Sequence, residues 1–405
     1  MGALSHIRVL DLSRVLAAPW ATQILGDLGA EVIKIEKPGE GDETRRFGPP
    51  FLNDADGTRG DATYFLTANR NKKSLTVDMS KPEGAALIRR LARRAHIVVE
   101  NFKTGSLAKY GLDYESLKAE NPALIYCSLT GFGHDGPYKD KAGYDYVIQG
   151  MGGLMSVTGQ KDGEPGAEPM KVGVAVSDLV TGLYTAIGIL AAVIHQSRTG
   201  EGQSIDMALF DCQAAALANQ ATNYLAGGMV PGRLGNAHPN IVPYQVFATA
   251  DGHLILATSN DNQFRRFAAV AGLETVAADP RYATNAERVA NRQAVVDMLK
   301  PVFTQRTTAQ WIADLEAANV PCGPINRVDQ VFADPQAIAR ALTVTMQHAA
   351  AGPLELVASP LRLSATPPEY RSAPPLLGQH TDEILAGVLD LSAEEIAALR
   401  AGGIV

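Results

Sequence analysis

The chain has 405 residues, of which 46% are hydrophobic and 20% are charged. This composition is typical of a globular protein, and the length predicts about two domains with a substantial core. The formal net charge of −7, with no long run of Lys or Arg, argues against nucleic acid or an anionic membrane as the main partner.

Short β-branched runs alternate with helical patterns over residues 6–130. The runs at 7–12, 31–36, 75–79, 96–100 and 124–129 predict strands. Pro19 suits the first turn of a helix that ends near Gly29, and Ser80 with Glu83 forms a capping box that starts another helix. Strands that alternate with helices need crossover connections, so this region predicts a doubly wound α/β domain with a parallel sheet.

Asp178 stands between an extended run of small residues and a segment with helical apolar spacing. The apolar positions of that segment are Leu179, Leu183, Ile187, Leu190 and Ile194. They predict a helix that is buried on most of its sides. The stretch from 179 to 194 is also shorter than the roughly 20 residues that a membrane-spanning helix needs.

At the head of that helix, Asp178 is either an N-cap or a reagent, and the spacing alone favours the cap. The two roles are compatible. A carboxylate with a reference pKa of about 3.9 is ionised at neutral pH and acts as a nucleophile without a general base. Asp178 is therefore a candidate catalytic residue as well as a candidate cap, and the spacing leaves both roles open.

A glycine-containing segment at 227–232 marks a predicted domain boundary. Beyond it, residues 244–258 predict a β-hairpin, and three helical stretches follow. We expect a large α/β domain over 1–225, a small α+β domain over 226–330, and a C-terminal part over 331–405 that returns to the large domain. The chain thus predicts a large domain built from both of its ends.

Several chemical classes find no support in the sequence. The three cysteines are far apart and odd in number, and the eight histidines are scattered, so we expect neither a disulfide framework nor a metal site. The glycines do not form a dinucleotide fingerprint, a P-loop or a nucleophile elbow. Because the N-terminus has no signal-peptide pattern, we expect a cytoplasmic protein.

Other candidate residues follow predicted strands, where open α/β sheets bind ligands. Some could hold an adenine or phosphate group, although a turn-forming Asn, a core Phe or a solvated Lys is the commoner explanation for residues of these types: Lys37, Asn101, Phe102 and Lys109. Tyr144 and Asp145 precede a predicted helix, with Asp145 as its cap. His238 either lines a substrate pocket or shapes a turn.

A series of short motifs occurs in order along the chain: Val9–Pro19, Leu28–Glu36, Asn69–Ser74, Glu100–Phe102, Gly131–Gly133, Gly143–Asp145, Ser177–Asp178, Cys322–Asn326 and Leu377–Thr381. Together they resemble the class III CoA-transferases, the family of formyl-CoA, carnitine-CoA and succinyl-CoA-dependent transferases. The resemblance covers nearly the whole chain.

The resemblance implies a fold, a partner and a reaction. Members of the family form homodimers of two interlinked ring-like chains. Their nucleophile aligns with Asp178, which would move CoA from an acyl-CoA to a free carboxylic acid through anhydride and aspartyl-CoA intermediates, with no tightly bound cofactor. The positions that align with CoA contacts are Val15, Leu16, Lys37, Val77, Ser80, Asn101, Phe102, Lys109, Ala142, Tyr144 and Asp145.

Departures from the family pattern separate its branches. The racemase branch has a His where this chain has Tyr144, and a phenol with a pKa near 10 is a poor base. Leu16 replaces a Gln of the formyl-CoA branch. Residues 233–244 look more like members that use succinyl-CoA with dicarboxylates. The lead hypothesis is therefore a CoA-transferase, and the alternatives are an α-methylacyl-CoA racemase and a non-catalytic CoA-binding protein.

Overall fold

The computed structural model describes residues 2–405. They form two compact units, and the larger one comprises the residues up to Leu154, Val172–Gly228 and Ile338–Val405. The second unit comprises Met155–Lys171 and Met229–Ala337. The predicted boundaries assign residues 155–171 to the large domain instead. This segment groups with the second unit because Asp162 forms an ion pair with Arg233 and also accepts its backbone N–H at 3.0 Å.

The strands are β1 (Arg8–Asp11), β2 (Glu31–Glu36), β3 (Phe51–Asn53), β4 (Arg59–Ala62), β5 (Lys72–Thr76), β6 (Ile97–Glu100), β7 (Ile125–Thr130), β8 (Ser204–Ala208), β9 (Tyr244–Ala248), β10 (His253–Ala257), β11 (Cys322–Pro324), β12 (Thr343–His348) and β13 (Gly352–Val357).

The helices are α1 (Ala17–Asp27), α2 (Thr63–Leu66), α3 (Pro82–Ala92), α4 (Tyr114–Glu120), α5 (Asp145–Met151), α6 (Leu154–Val157), α7 (Val176–Thr199), α8 (Leu209–Ala216), α9 (Asn219–Leu225), α10 (Asp261–Ala271), α11 (Glu274–Ala278), α12 (Asn285–Ala290), α13 (Arg292–Phe303), α14 (Thr308–Ala317), α15 (Val328–Ala333), α16 (Pro335–Ala339), α17 (Thr381–Leu389) and α18 (Ala393–Ala401). Short 3-10 helices occur at Glu43–Arg46 and Ala108–Tyr110.

The larger unit is organised around a six-stranded sheet with the order β5-β2-β1-β6-β7-β8. Every neighbouring pair in this sheet is parallel, which confirms the predicted α/β class. The sheet has a hydrophobic core on each of its two faces. Alternate residues of a strand pack into one core or the other, because successive side chains of a strand point to opposite faces. Val9 packs with α1 and α7 on one face, and Leu10 packs with α3 and α17 on the other. Strand β8 was not predicted from the sequence, because it is an edge strand with few buried side chains.

The C-terminal segment covers the β5 edge of this sheet. The backbone N–H of His380 donates to Ser74 O at 2.9 Å, and the N–H of Ser74 donates to His380 Nδ1 at 3.2 Å. The hydroxyl of Thr381 accepts the N–H of Thr76 at 3.2 Å. These contacts satisfy backbone groups that an open strand edge would leave exposed, which is how the 377–381 motif contributes to the fold.

Helix α7 differs in two ways from the predicted helix. It has 24 residues, and by length and composition it could cross a membrane, although core helices of globular proteins pass the same test. Its predicted buried face is wrong, because Leu183, Ile187 and Ile194 are about half or more exposed, at 48%, 60% and 61%. The small residues face inward instead. A Cβ on Gly182 would lie only 2.6 Å from Ala17 O, so this close approach to α1 requires glycine.

The second unit is built on an antiparallel sheet with the order β11-β10-β9. Strands β9 and β10 form the predicted hairpin. Helices α10, α13 and α14 cover the sheet, and their core includes Phe247, Phe303 and Trp311. The rings of Phe247 and Phe303 stack with their centroids 4.4 Å apart.

Candidate active site

Asp178 lies inside the first turn of α7, two residues after the helix begins at Val176. The prediction that Asp178 is the N-cap is wrong, because Ala175 holds that position and no side chain of α7 caps the helix. The capping acceptor comes from another helix. Asp145 Oδ1 accepts the backbone N–H groups of Ser177 at 2.8 Å and of Asp178 at 3.3 Å. A carboxylate at this place also complements the positive end of the helix dipole.

A buried polar network holds Asp145 and the first turn of α7 in place. Gln149, which is fully buried, donates to Asp145 Oδ2 at 2.7 Å and accepts the N–H of Val172 at 2.8 Å. The hydroxyl of Ser177 donates to Gln213 Oε1 at 2.7 Å. The nucleophile candidate is therefore carried on a turn whose polar groups are fixed from two directions.

The turn before Asp145 is positioned by contact between two glycines. A Cβ on Gly131, just beyond β7, would lie 2.5 Å from the Cα of Gly143. Only glycine at both places allows the backbones to approach so closely. The two glycine motifs noted in the sequence thus bring Asp145 to the carboxyl end of β7.

Burial and the nearby charge of Asp145 raise the pKa of Asp178 from 3.8 to about 7. In the free protein Asp178 is therefore harder to ionise than the reference pKa predicts, and part of the carboxyls carry a proton at neutral pH. Burial and the charges of Asp178 and Asp145 also raise the pKa of Tyr64. The Tyr64 phenol stays protonated and can donate a hydrogen bond.

The start of α1 lies beside the first turns of α7. Gly182 contacts Ala17 O, and Asp178 is four residues earlier, one turn away on the same helix face. The first backbone N–H groups of α1 have no intrahelical acceptor, and within residues 2–405 the N-cap residue, Leu16, supplies no side-chain hydrogen bond to them. The residues that begin α1, Leu16 and Ala17, are buried at 5% and 4% exposure, and the backbone of Ala17 contacts α7 at Gly182.

A cavity of about 300 Å³ lies at the carboxyl ends of β1, β2 and β5, and it brings together four of the predicted CoA-binding residues: Lys37, Val77, Ser80 and Phe102. Two cationic side chains that were not predicted from the sequence, Arg14 and Arg46, line the same cavity. The Arg14 guanidinium lies 4.9 Å from the centroid of the Phe102 ring. Among residues 2–405, no acceptor pairs with the buried Arg14 Nε, which leaves it available to a ligand.

Acidic side chains of one loop partly neutralise the cations of this cavity. Glu40 pairs with Lys37 at 2.5 Å, and Glu43 pairs with Arg14 at 2.5 Å. Both pairs are partly or largely exposed to solvent, so a bound anion can replace the carboxylates at little cost.

Three predicted contact residues, Asn101, Val15 and Leu16, are not part of the lining of this cavity. The Asn101 amide accepts the N–H of Arg14 at 2.9 Å and donates to Arg14 O at 2.7 Å, so it fixes the loop that carries Arg14. Val15, the next residue, has a φ of +69°. A β-branched residue in this region is strained. Leu16 is buried at the start of α1.

The remaining predicted residues lie elsewhere. Lys109 is exposed, with its ammonium 4.7 Å from the Tyr110 ring centroid, and it is not part of the cavity lining. Ala142 and Tyr144 belong to the turn before α5, on the Asp178 side. His238 lies in the second unit, where its Nδ1 accepts the N–H of Asn240 at 3.0 Å and shapes a local turn.

Of the additional site residues that the structure shows, one could have been predicted from the sequence and the others could not. Gln149 is four residues after Asp145, the spacing at which helix side chains pair, so their contact was readable in principle. Tyr64, Arg14 and Gln213 carried no such pattern, because their neighbours are distant in the chain.

Comparison with known proteins identifies the family. The model of CoA-transferase family III matches residues 4–381. The succinate–glutarate CoA-transferase of Agrobacterium fabrum is 52% identical over 383 residues, which is 95% of each chain. The succinyl-CoA:glutarate CoA-transferase of Mus musculus is 42% identical over 405 residues, covering 100% of this chain and 91% of the relative.

A solved structure gives the same result. The crystal structure of a CAIB/BAIF family protein from Brucella suis has a TM-score of 0.83 and 50% sequence identity, over 96% of this chain and 99% of that one. Sequence and fold therefore agree along nearly the entire chain. This chain belongs to CoA-transferase family III and is a CoA-transferase, an enzyme whose substrates are CoA thioesters.

Proposed function

We propose that this protein transfers CoA from succinyl-CoA to a free dicarboxylic acid of about the size of glutarate, with Asp178 as the nucleophile. The names of two relatives with 52% and 42% identity support the substrate class. The observation that carries the mechanism is the placement of Asp178 on a capped helix turn, beside the uncapped start of α1.

The reaction passes through two anhydrides. The Asp178 carboxylate attacks the thioester carbonyl of the donor, the CoA thiolate leaves, and a mixed anhydride forms. The thiolate then attacks the Asp178 carbonyl of the anhydride, which releases the donor acid and leaves an aspartyl-CoA thioester. The acceptor carboxylate repeats these steps in reverse order and takes CoA away as its own thioester. Each step exchanges one acyl bond for another, so the sequence balances without an energy source.

The raised pKa of Asp178 in the free protein sets a condition for the first step. Only the ionised form attacks the thioester, so activity rises as pH increases through about 7. The N–H groups of Leu16 and Ala17 would stabilise the oxyanions of the tetrahedral intermediates, and Tyr64 would supply a further donor. Each intermediate is sensitive to water, and the burial around Asp178 limits its access.

The 300 Å³ cavity is the proposed site for the nucleotide part of CoA. Lys37, Arg14 and Arg46 offer cations for its phosphates, and Phe102 offers a ring face for adenine. The Asn101 amide would hold the Arg14 loop in its binding conformation. The roles of Val15, Val77, Ser80, Lys109, the 142–145 turn and His238 toward CoA or the acceptor acid stay predictions.

The exposed face of α7 supports the proposal of a homodimer. Leu183, Tyr184, Ile187 and Ile194 are exposed at 48%, 45%, 60% and 61%, an apolar surface that monomeric proteins rarely leave uncovered. Light scattering coupled to gel filtration should give twice the chain mass, and Ile187→Glu should lower it. A cytoplasmic location is likewise proposed, since the three cysteines are unpaired.

Trapping of the intermediate tests the mechanism. Succinyl-CoA is added without an acceptor acid, and intact mass with peptide mapping should find the adduct on Asp178, where hydroxylamine removes it. Asp178→Asn should form none, whereas Asp206→Asn, an exposed carboxylate on β8, should form it normally. An unmodified wild-type protein that transfers CoA would refute the nucleophile. Solvent deuterium entering the α-position of a branched acyl-CoA without an acceptor would instead indicate the racemase.

A further inference from the structure

The 69–74 motif contains a lysine, Lys72, that is completely buried although it lies on a strand of the sheet. Its ammonium donates to three acceptors at 3.0 Å each: Asp11 Oδ2, Asn69 Oδ1 and the backbone carbonyl of Pro19. Pro19 lies in the first turn of α1. A side chain of the sheet thus holds the beginning of the helix through one of its carbonyl groups.

Asp11, the partner of Lys72, accepts hydrogen bonds from residues at both ends of the segment 13–22. Its Oδ1 accepts the N–H of Ser13 at 3.0 Å and the Ser13 hydroxyl at 2.5 Å. Its Oδ2 accepts the hydroxyl of Thr22 at 2.6 Å. Asp11, Ser13 and Thr22 are fully buried, as Lys72 is. The pair therefore ties the residue before the 14–16 loop to the second turn of α1.

Between these two points the loop is held in a strained shape. The Lys34 ammonium donates to Ser13 O at 2.8 Å and pairs with Asp42 at 2.9 Å. Asp42 accepts the N–H of Val15 at 3.2 Å and 3.3 Å. A positive φ at a valine persists only when the surroundings over-determine it, and such residues cluster at functional sites.

The geometry points to a positioning role for the buried Asp11–Lys72 pair: we propose that it fixes the start of α1 so that the N–H groups of Leu16 and Ala17 lie ready for the oxyanion formed at Asp178. This inference rests on the proposed function of Asp178. Asp11 and Lys72 are completely buried and do not line the cavity proposed for CoA, so the pair acts on the chemical step through α1. Loss of the pair should lower kcat and leave acyl-CoA binding nearly unchanged.

The test compares the double variant Asp11→Asn/Lys72→Met with Lys73→Met. The double substitution removes both charges, so no unpaired carboxylate is left in the core. Lys73 is the adjacent residue of β5, so its side chain points to the opposite face of the sheet, where it pairs with Glu31 and Glu383 at 3.1 Å and 2.7 Å. We expect kcat of the folded double variant to fall about 100-fold, the size of effect seen when an oxyanion donor is lost. The KM for succinyl-CoA should change less than threefold, and Lys73→Met should match the wild type.

A milder variant decides the question if the double variant does not fold. Thr22→Val keeps the charges and the shape but removes the hydroxyl that Asp11 accepts, and we expect kcat to fall about tenfold at unchanged KM. A folded variant with wild-type kcat, or one in which only KM changes, would overturn the inference. If the wild type forms no Asp178 adduct, the proposed function fails. If it does while both variants keep the wild-type rate, the positioning role alone fails.

Discussion

Replacement of Asp178 by asparagine is expected to stabilise the free protein while it abolishes transfer. In the folded state the pKa of Asp178 is raised from 3.8 to about 7, so the folded protein binds this proton more tightly than the unfolded chain. The contribution of Asp178 to the free energy of unfolding therefore falls as pH rises from about 4 to about 7. An asparagine side chain has the shape of the carboxyl without its charge, so the variant escapes this loss.

The shift in the pKa of Asp178 determines how much the substitution changes the free energy of unfolding. A change from 3.8 to about 7 is about 3 pKa units, and each unit corresponds to about 1.4 kcal/mol, which gives about 4 kcal/mol above pH 7. The favourable interaction of the charge with the start of α7 opposes it by about 0.3–1 kcal/mol. The effect of burial and of repulsion by Asp145 is the larger one. We therefore expect Asp178→Asn to raise the free energy of unfolding by about 3 kcal/mol at pH 8. Below pH 4 the gain should vanish, since the carboxyl is protonated in both states.

Urea unfolding at pH 4, 6 and 8, followed by tryptophan fluorescence and circular dichroism, measures this difference. An N-cap would behave in the opposite way, because its loss costs about 1 kcal/mol. An Asp178→Asn protein that is less stable than the wild type at pH 8 would contradict the reasoning. So would a gain that is equal at pH 4 and pH 8, since that gain would not come from the charge.

Three further predictions concern side chains around the site. Asp145→Asn removes the charge that faces Asp178, so the acidic limb of the kcat/KM profile should move to lower pH; an unchanged limb would exclude Asp145 as a cause of the shift. Tyr64→Phe should lower kcat about 10- to 100-fold with little change in the KM for acyl-CoA, and a change in KM alone would assign Tyr64 to binding. Glu43→Gln frees the Arg14 guanidinium, so calorimetry should find CoA bound about two- to fivefold more tightly at low salt, and weaker binding would place Glu43 on the ligand.

Local sequence patterns account for much of the larger unit. The strand-like runs at 7–12, 31–36 and 96–100 became β1, β2 and β6, because their side chains are buried on both faces of a parallel sheet. The hairpin of β9 and β10 followed from its turn residues. The predictions from the sequence were wrong where tertiary packing determines which side chains are buried. Helix α7 turns its small residues inward and its large ones outward, since α1 approaches at Gly182.

The sequence by itself determined the α/β class, the family and the identity of the candidate nucleophile. Only the tertiary structure decided the surroundings of Asp178. Its helix is capped by Asp145, 33 residues earlier, and α1 is anchored by Lys72, which meets Asp11 across 61 residues. Periodicity and propensity act over one or two turns of chain, whereas the pKa of a carboxyl depends on whatever folding brings within a few ångströms of it.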